Sequence, residues 1–202
     1  MKDLQKCLAV VAVAIPLLAA GPTSGKSPLD RQLALLAGDD PSAPQAGAGK
    51  ADTAPKSGWI HPDLKGGDDA PCAMSYRDGI NSIGYIGPSK DWNESYFFAT
   101  GPSIPWTQKT RSVRVRLASD GDADQTVRAF HYPISSRKAA ILFKLTDFAA
   151  ALEAMEDVED LAIVLMEPEE PQYQQAIFTG RWVGGHAARE KIRACLARTG
   201  QR

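Results

Sequence analysis

The chain has 202 residues, 44% of them hydrophobic and 23% charged, which suits one globular domain once targeting and linker segments are subtracted. A net charge of −1 with a pI near 6.3 gives no global field toward nucleic acid or an acidic membrane. Three cysteines and three histidines, none in close pairs, exclude a disulfide-rich miniprotein and leave a structural zinc site without its ligands, so no cofactor is expected.

Lys2 and Lys6 precede an apolar run over residues 7–20, which Gly21-Pro22 ends. As a helix this run rises roughly 21 Å, short of the ~30 Å hydrocarbon core, so it reads as a secretory signal and not as a stable membrane span. Cleavage is expected after Ala20, which places the mature protein in the periplasm or outside the cell. A competing pattern is Ala20-Gly-Pro-Thr-Ser-Gly-Lys26-Ser27, which looks like a phosphate-binding loop. It fails where it is most diagnostic: Ala20 stands where the first glycine belongs, and Met166 stands where a magnesium aspartate would close the apolar run 161–166.

Ser27-Pro28-Leu29-Asp30 reads as a helix start, and Leu29, Leu33 and Leu36 then share one face until Gly38. A helix of about ten residues needs a docking surface to be stable. Residues 39–58 contain no large apolar side chain and read as a flexible tether. The expected organisation is a signal peptide over 1–20, a short helix and linker over 21–58, and a single domain over 59–202.

Within that domain, residues 73–76, 80–86 and 96–99 are strand-like runs separated by turn signals. Residues 112–118 make the clearest strand, with Val113, Val115 and Leu117 on one face and Arg114 and Arg116 on the other. Strands are expected at 126–132 and 139–145, then a helix over 147–157 with Thr146 or Asp147 as its cap. Strands at 161–166 and 174–180 lead to a last helix over 185–198, whose apolar stripe is Ala188, Ile192, Cys195 and Leu196. The fold class is therefore expected to be α+β: a mainly antiparallel sheet of about six to eight short strands with two packed helices, the last one carboxyl-terminal. A monomer is expected.

Removal of Cys7 with the signal leaves Cys72 and Cys195, and an even count in an oxidising compartment predicts that they are bonded. Asp120, Asp122 and Asp124 alternate like the opening of a calcium loop, but Gln125 and His131 stand where Gly and Glu would continue it, so a solvated turn is the better reading. Arg114, Arg116 and Arg128 fall on the polar face of one hairpin, where they could bind an anion or simply face solvent. Trp92 and Trp106 lie among loop-like residues, where an exposed aromatic side chain would signal binding. His61, His131 and His186 are isolated in sequence, and no serine has a nucleophile-elbow setting, so no catalytic residue is assigned.

Phe148 to Leu152, Phe178-Thr-Gly180, Gly184-Gly185-His-Ala-Ala188 and Ile192-Arg-Ala-Cys195, with Cys72-Ala-Met-Ser-Tyr76 opening the domain, resemble the invasion-associated locus B type of small secreted proteobacterial protein. The resemblance spans about the last 130 residues and implies a periplasmic, non-enzymatic envelope or host-interaction role. The expected function is a non-catalytic binding or interaction protein of the envelope. Its partner would be an envelope protein or a small ligand, not nucleic acid. The rival expectation is an envelope hydrolase whose catalytic residues meet only in space.

Overall fold

The computed structural model describes residues 28–36, 57–61, 71–88, 93–119, 125–166 and 176–198. The expected signal segment and cleavage site lie outside these residues. So does the expected tether, apart from Ser57 and Gly58, which open the first strand.

Nine strands form one antiparallel sheet: β1 (Ser57–Ile60), β2 (Ala73–Asp78), β3 (Asn81–Ile86), β4 (Ser95–Thr100), β5 (Arg111–Ser119), β6 (Gln125–Pro133), β7 (Ala139–Leu145), β8 (Val158–Leu165) and β9 (Ala176–Val183). Among the described residues, three helices accompany them: α1 (Pro28–Leu36), α2 (Phe148–Glu153) and α3 (Gly185–Arg198). The expectation of an α+β fold with six to eight strands and two packed helices is thereby corrected. The molecule is largely β, with one more strand and one more helix. The added strand, β1, is four residues long and contains Gly58, too little for an alternating pattern to register. The added helix is the short one expected to start at Ser27-Pro28, which the expected packed pair omits and which here docks on the sheet.

The strand order is β1-β2-β3-β4-β7-β6-β5-β8-β9. The sheet curls until its two ends meet, giving a nearly closed barrel. Trp59 of β1 donates its indole N–H to the Val183 carbonyl at the end of β9 (2.8 Å), and its ring packs edge-on against Trp182 at 6.2 Å. Farther along the seam, the Asn81 side-chain amide donates to the Thr179 carbonyl at 3.3 Å. Tight coiling also needs a position without a side chain. At Gly84 a Cβ would run into the Met74 carbonyl and lie 2.7 Å from Ser75 Cα, so only glycine lets β2 approach β3 this closely.

The two faces of the sheet bury different clusters. Inside the barrel lie Met74, Tyr85, Phe97, Phe143, Ile163 and Trp182, all less than 5% exposed. Outside, Leu33 and Leu36 of α1 cover Ala73, Ile86, Phe98, Ala140 and Leu142. All six residues of β4 are buried for this reason: Phe97 and Ala99 enter the barrel while Tyr96 and Phe98 lie in the outer cluster. Polar contacts fix the helix at both ends. The Tyr132 hydroxyl donates to Asp30 Oδ1 (2.6 Å), and Arg77 and the Ser82 hydroxyl both donate to the Leu36 carbonyl (3.3 Å each). The last two contacts satisfy a carbonyl that the helix end leaves open.

The carboxyl-terminal helix closes one end of the barrel. Gly184, at φ 75°, takes the left-handed turn between β9 and α3. Asp157 then caps the helix from a distance: its side chain accepts from the His186 backbone N–H at 3.1 Å and its carbonyl from Gly185 N–H at 2.9 Å. Ala188 and Ile192 enter the core, and Cys195 reaches Cys72 at the start of β2, with Cα atoms 5.8 Å apart. The predicted disulfide is present. Asp147 caps α2 as expected, accepting from Ala150 N–H at 2.9 Å. That helix stops at Glu153, four residues short of expectation, because the chain turns to begin β8 at Val158.

Candidate binding surface

Hairpin β5–β6 brings together the three arginines singled out from the sequence. Arg114 lies directly opposite Arg128 across the strand pair, and Arg116 follows two residues along β5 opposite Thr126. Val113, Val115, Leu117, Val127 and Ala129 belong to the barrel core, so strand alternation turns the three arginines to the outer face. Arg114 and Arg128 are exposed and Arg116 is partly buried. Like charges directly opposite one another in a sheet are unfavourable by themselves, so this pairing favours an anion placed between them.

The arginines belong to a larger segregation of charge. Residues 101–119 carry Lys109, Arg111, Arg114 and Arg116, and residues 125–146 carry Arg128, Arg137, Lys138 and Lys144, with no Asp or Glu in either segment. These segments therefore total +8 within a chain whose net charge is −1, leaving −9 for the remainder. The near-neutral total hides a basic flank built by strands β5, β6 and β7, with the loop before β5 and the β6–β7 connection, whereas the β5–β6 connection carries Asp120, Asp122 and Asp124 and brings residues 101–146 as a whole to +5. Lys144 pairs with Glu94 at 2.5 Å.

At the end of the barrel where β5 begins, this flank has a rigid rim. Residues 101–110 form an irregular but well-anchored loop: Ile104 is buried in the core and the Pro105 carbonyl meets His131 Nε2 at 2.6 Å. The next residue, Trp106, is 50% exposed, yet its indole N–H donates to the Ser135 carbonyl at 3.0 Å, which ties the loop to the β6–β7 hairpin. That hairpin is closed by Ile134 and Ser135 N–H groups donating to the Lys138 carbonyl (2.9 and 3.2 Å). Lys109, Arg111, Arg137 and Lys138 are all exposed around this junction.

The histidines do not converge. His131 is fully buried, and the Pro105 carbonyl makes Nε2 its donor, which leaves Nδ1 to accept from Arg111 Nε at 3.4 Å. His186 sits on the surface with Nδ1 3.9 Å from Asp157. His61 stands at the end of β1, where burial, and then the Lys191 charge on α3, hold its imidazole below the usual 6.5. The folded state thus favours neutral His61, whereas the unfolded chain takes up the proton near 6.5. Stability contributed by this group is present above that pH and is lost as pH falls from about 6.5 through the lower folded value. A His61→Gln variant is expected to show a flatter fall in melting temperature between pH 7.5 and 5 than the parent, read by circular dichroism in matched buffers. Parallel curves would remove His61 from the acid response.

Elsewhere, an open depression of about 450 Å³ lies across Asp78, Ala118, Asp160, Leu161, Thr179 and Arg181. Arg181 and Asp160 face each other there at 3.4 Å, with Arg181 exposed and Asp160 partly exposed. The exposed geometry gives this pair little energetic weight. Among the described residues, no group of three His, Cys, Asp or Glu side chains could hold a metal ion. Asp120, Asp122, Asp124 and Trp92 lie outside the described residues.

The rim residues Lys109, Arg111, Arg137 and Lys138 were not singled out from the sequence. Summing charge segment by segment, instead of over the whole chain, reveals them. No family model matches the chain, and neither a curated protein nor a solved structure matches it. Among the described residues, no helix is long and apolar enough to cross a membrane.

Proposed function

We propose that this protein is an exported, non-catalytic binding module of the bacterial envelope, of the invasion-associated locus B type, and that it recognises an anionic partner through its basic flank. The observation that carries the reading is the opposed Arg114–Arg128 pair, with Arg116 beside it, on a sheet face turned away from the core. Two further features support it. The barrel interior is filled with large side chains, which leaves recognition to the outside. The Cys72–Cys195 bond suits an oxidising compartment, to which the amino-terminal apolar segment would direct the chain.

Heparin serves as a polyanion probe of the flank. Wild-type protein is expected to be retained on immobilised heparin at low salt despite its net charge of −1, and Arg114→Glu/Arg128→Glu is expected to elute at distinctly lower salt. Passage of both proteins without retention refutes the anionic-partner reading. Cell fractionation, with intact mass under non-reducing conditions, tests export: a chain retaining Met1 to Ala20 in the cytoplasm refutes that part.

A further inference from the structure

We infer that the rim formed by residues 101–110 and the β6–β7 hairpin is a peripheral anchor for an anionic lipid surface, with Trp106 as the group that enters the headgroup layer. The inference rests on the reading of the basic flank as an anion-binding face, and adds the partner and the orientation in which the barrel meets it.

Three observations converge on the rim. First, half of Trp106 is open to solvent although its polar N–H is already satisfied by the Ser135 carbonyl. What remains for a partner is therefore mainly apolar ring surface. An indole with a satisfied N–H and an open ring is suited to the boundary between headgroups and acyl chains. Second, the ring is held in place: Ile104 in the core, the Pro105–His131 contact and the Ser135 bond fix the loop before any partner arrives. Little ordering entropy is then lost on docking. Third, Lys109, Arg111, Arg137 and Lys138 are exposed on the loop and hairpin that Trp106 joins, and no acidic residue occurs in either segment. Basic residues beside an interfacial aromatic side chain are the combination that anionic headgroups attract. The three aspartates between β5 and β6 follow Ser119, the last residue of β5, in the chain, and belong to neither rim segment. Pro102 and Pro105, both exposed, extend the rim without adding charge.

Vesicle sedimentation with the full-length chain tests this, comparing vesicles of neutral phosphatidylcholine with vesicles containing about 30% phosphatidylglycerol. All variants share the same amino terminus, so any binding by that segment is common to them. Wild type is expected to prefer the anionic vesicles. Lys109→Gln/Arg137→Gln is expected to weaken that binding by about 30-fold, from about fivefold per basic residue at the surface. Trp106→Ala is expected to weaken it roughly tenfold, the effect of losing about half of a large apolar contact. Equal binding to both vesicle types, or anionic binding untouched by these substitutions, overturns the inference. Complete competition by millimolar inorganic phosphate also overturns it, by revealing a site for free phosphate instead of a surface. Heparin retention that depends on Arg114 and Arg128, with no vesicle preference, overturns the rim assignment while leaving the basic-flank reading standing.

Discussion

Replacing Cys72 and Cys195 together by alanine is expected to lower the unfolding free energy by roughly 5 kcal/mol, the chain-entropy value for a loop of this length. The bond joins residues 123 positions apart, tying the first residue before β2 to the last turn of the final helix. Eight of the nine strands lie between the two cysteines, so the unfolded chain loses much of its freedom when they are linked. The native side adds a specific consequence. Cys72 is 1% exposed and its carbonyl accepts from Gly87 N–H at 2.7 Å, so the anchor point is itself part of the β2–β3 frame. The expected fall in melting temperature is about 10–20 °C, since a domain of this size loses roughly 2–4 °C per kcal/mol. Thermal unfolding of the oxidised parent and the double variant measures it. Coincident melting curves would show that α3 holds its place through packing alone.

The second large effect is expected at Trp182. Its side chain is completely buried, contacts Trp59 and Phe97 at ring-centroid distances of 6.2 and 6.5 Å, and donates its indole N–H to the Glu156 carbonyl at 3.0 Å. It also lies against the entrance of α3, where its Nε1 would be 3.1 Å from a Cβ at Gly185. Trp182 therefore joins three things at once: the β1–β9 seam, the barrel core and the start of the last helix. Trp182→Ala is expected to cost about 3–5 kcal/mol, from the cavity and the lost transfer free energy. Trp106→Ala, at the exposed rim, is expected to cost less, about 1–2 kcal/mol, from its one hydrogen bond and the half of its ring that the protein covers. Urea unfolding of the two variants, with tryptophan fluorescence and circular dichroism followed in parallel, separates these roles. A similar midpoint for both would contradict the assignment of Trp182 to the seam.

Much of this architecture is legible in the residues, though not all by the same signal. Cysteine arithmetic finds the disulfide because only two thiols remain once the expected export signal is set aside, and no geometry is needed. The alternation in 112–118 places Val115 inside and Arg114 outside, as found, because one face of β5 meets the core and the other is open at Arg114. Residues 96–99 lack such alternation, and the reason cannot be read locally: α1, more than 60 residues earlier in the chain, supplies the second apolar layer. The need of that short helix for a docking surface is legible from its length, whereas the identity of the surface requires the fold. Closure of the sheet escapes a linear reading for a similar reason, since Trp59 and Val183 are 124 residues apart. The rim combines both cases. Its charge can be found by counting over segments, but the junction of Trp106 with Ser135 exists only once β6 and β7 have paired around it.

The disulfide also determines how the molecule would respond to a pulling force. Tension applied between the amino-terminal side of Cys72 and the carboxyl terminus passes directly through the Cys72–Cys195 bond, so strands β2 to β9 form a closed covalent loop that carries no load. Among the described elements, α1, the four-residue strand β1 and the end of α3 after Cys195 lie on the loaded path, and these can peel away while strands β2 to β9 stay paired. A chain drawn from both sides of this bond would therefore lengthen by the residues before Cys72 and after Cys195 and then stop.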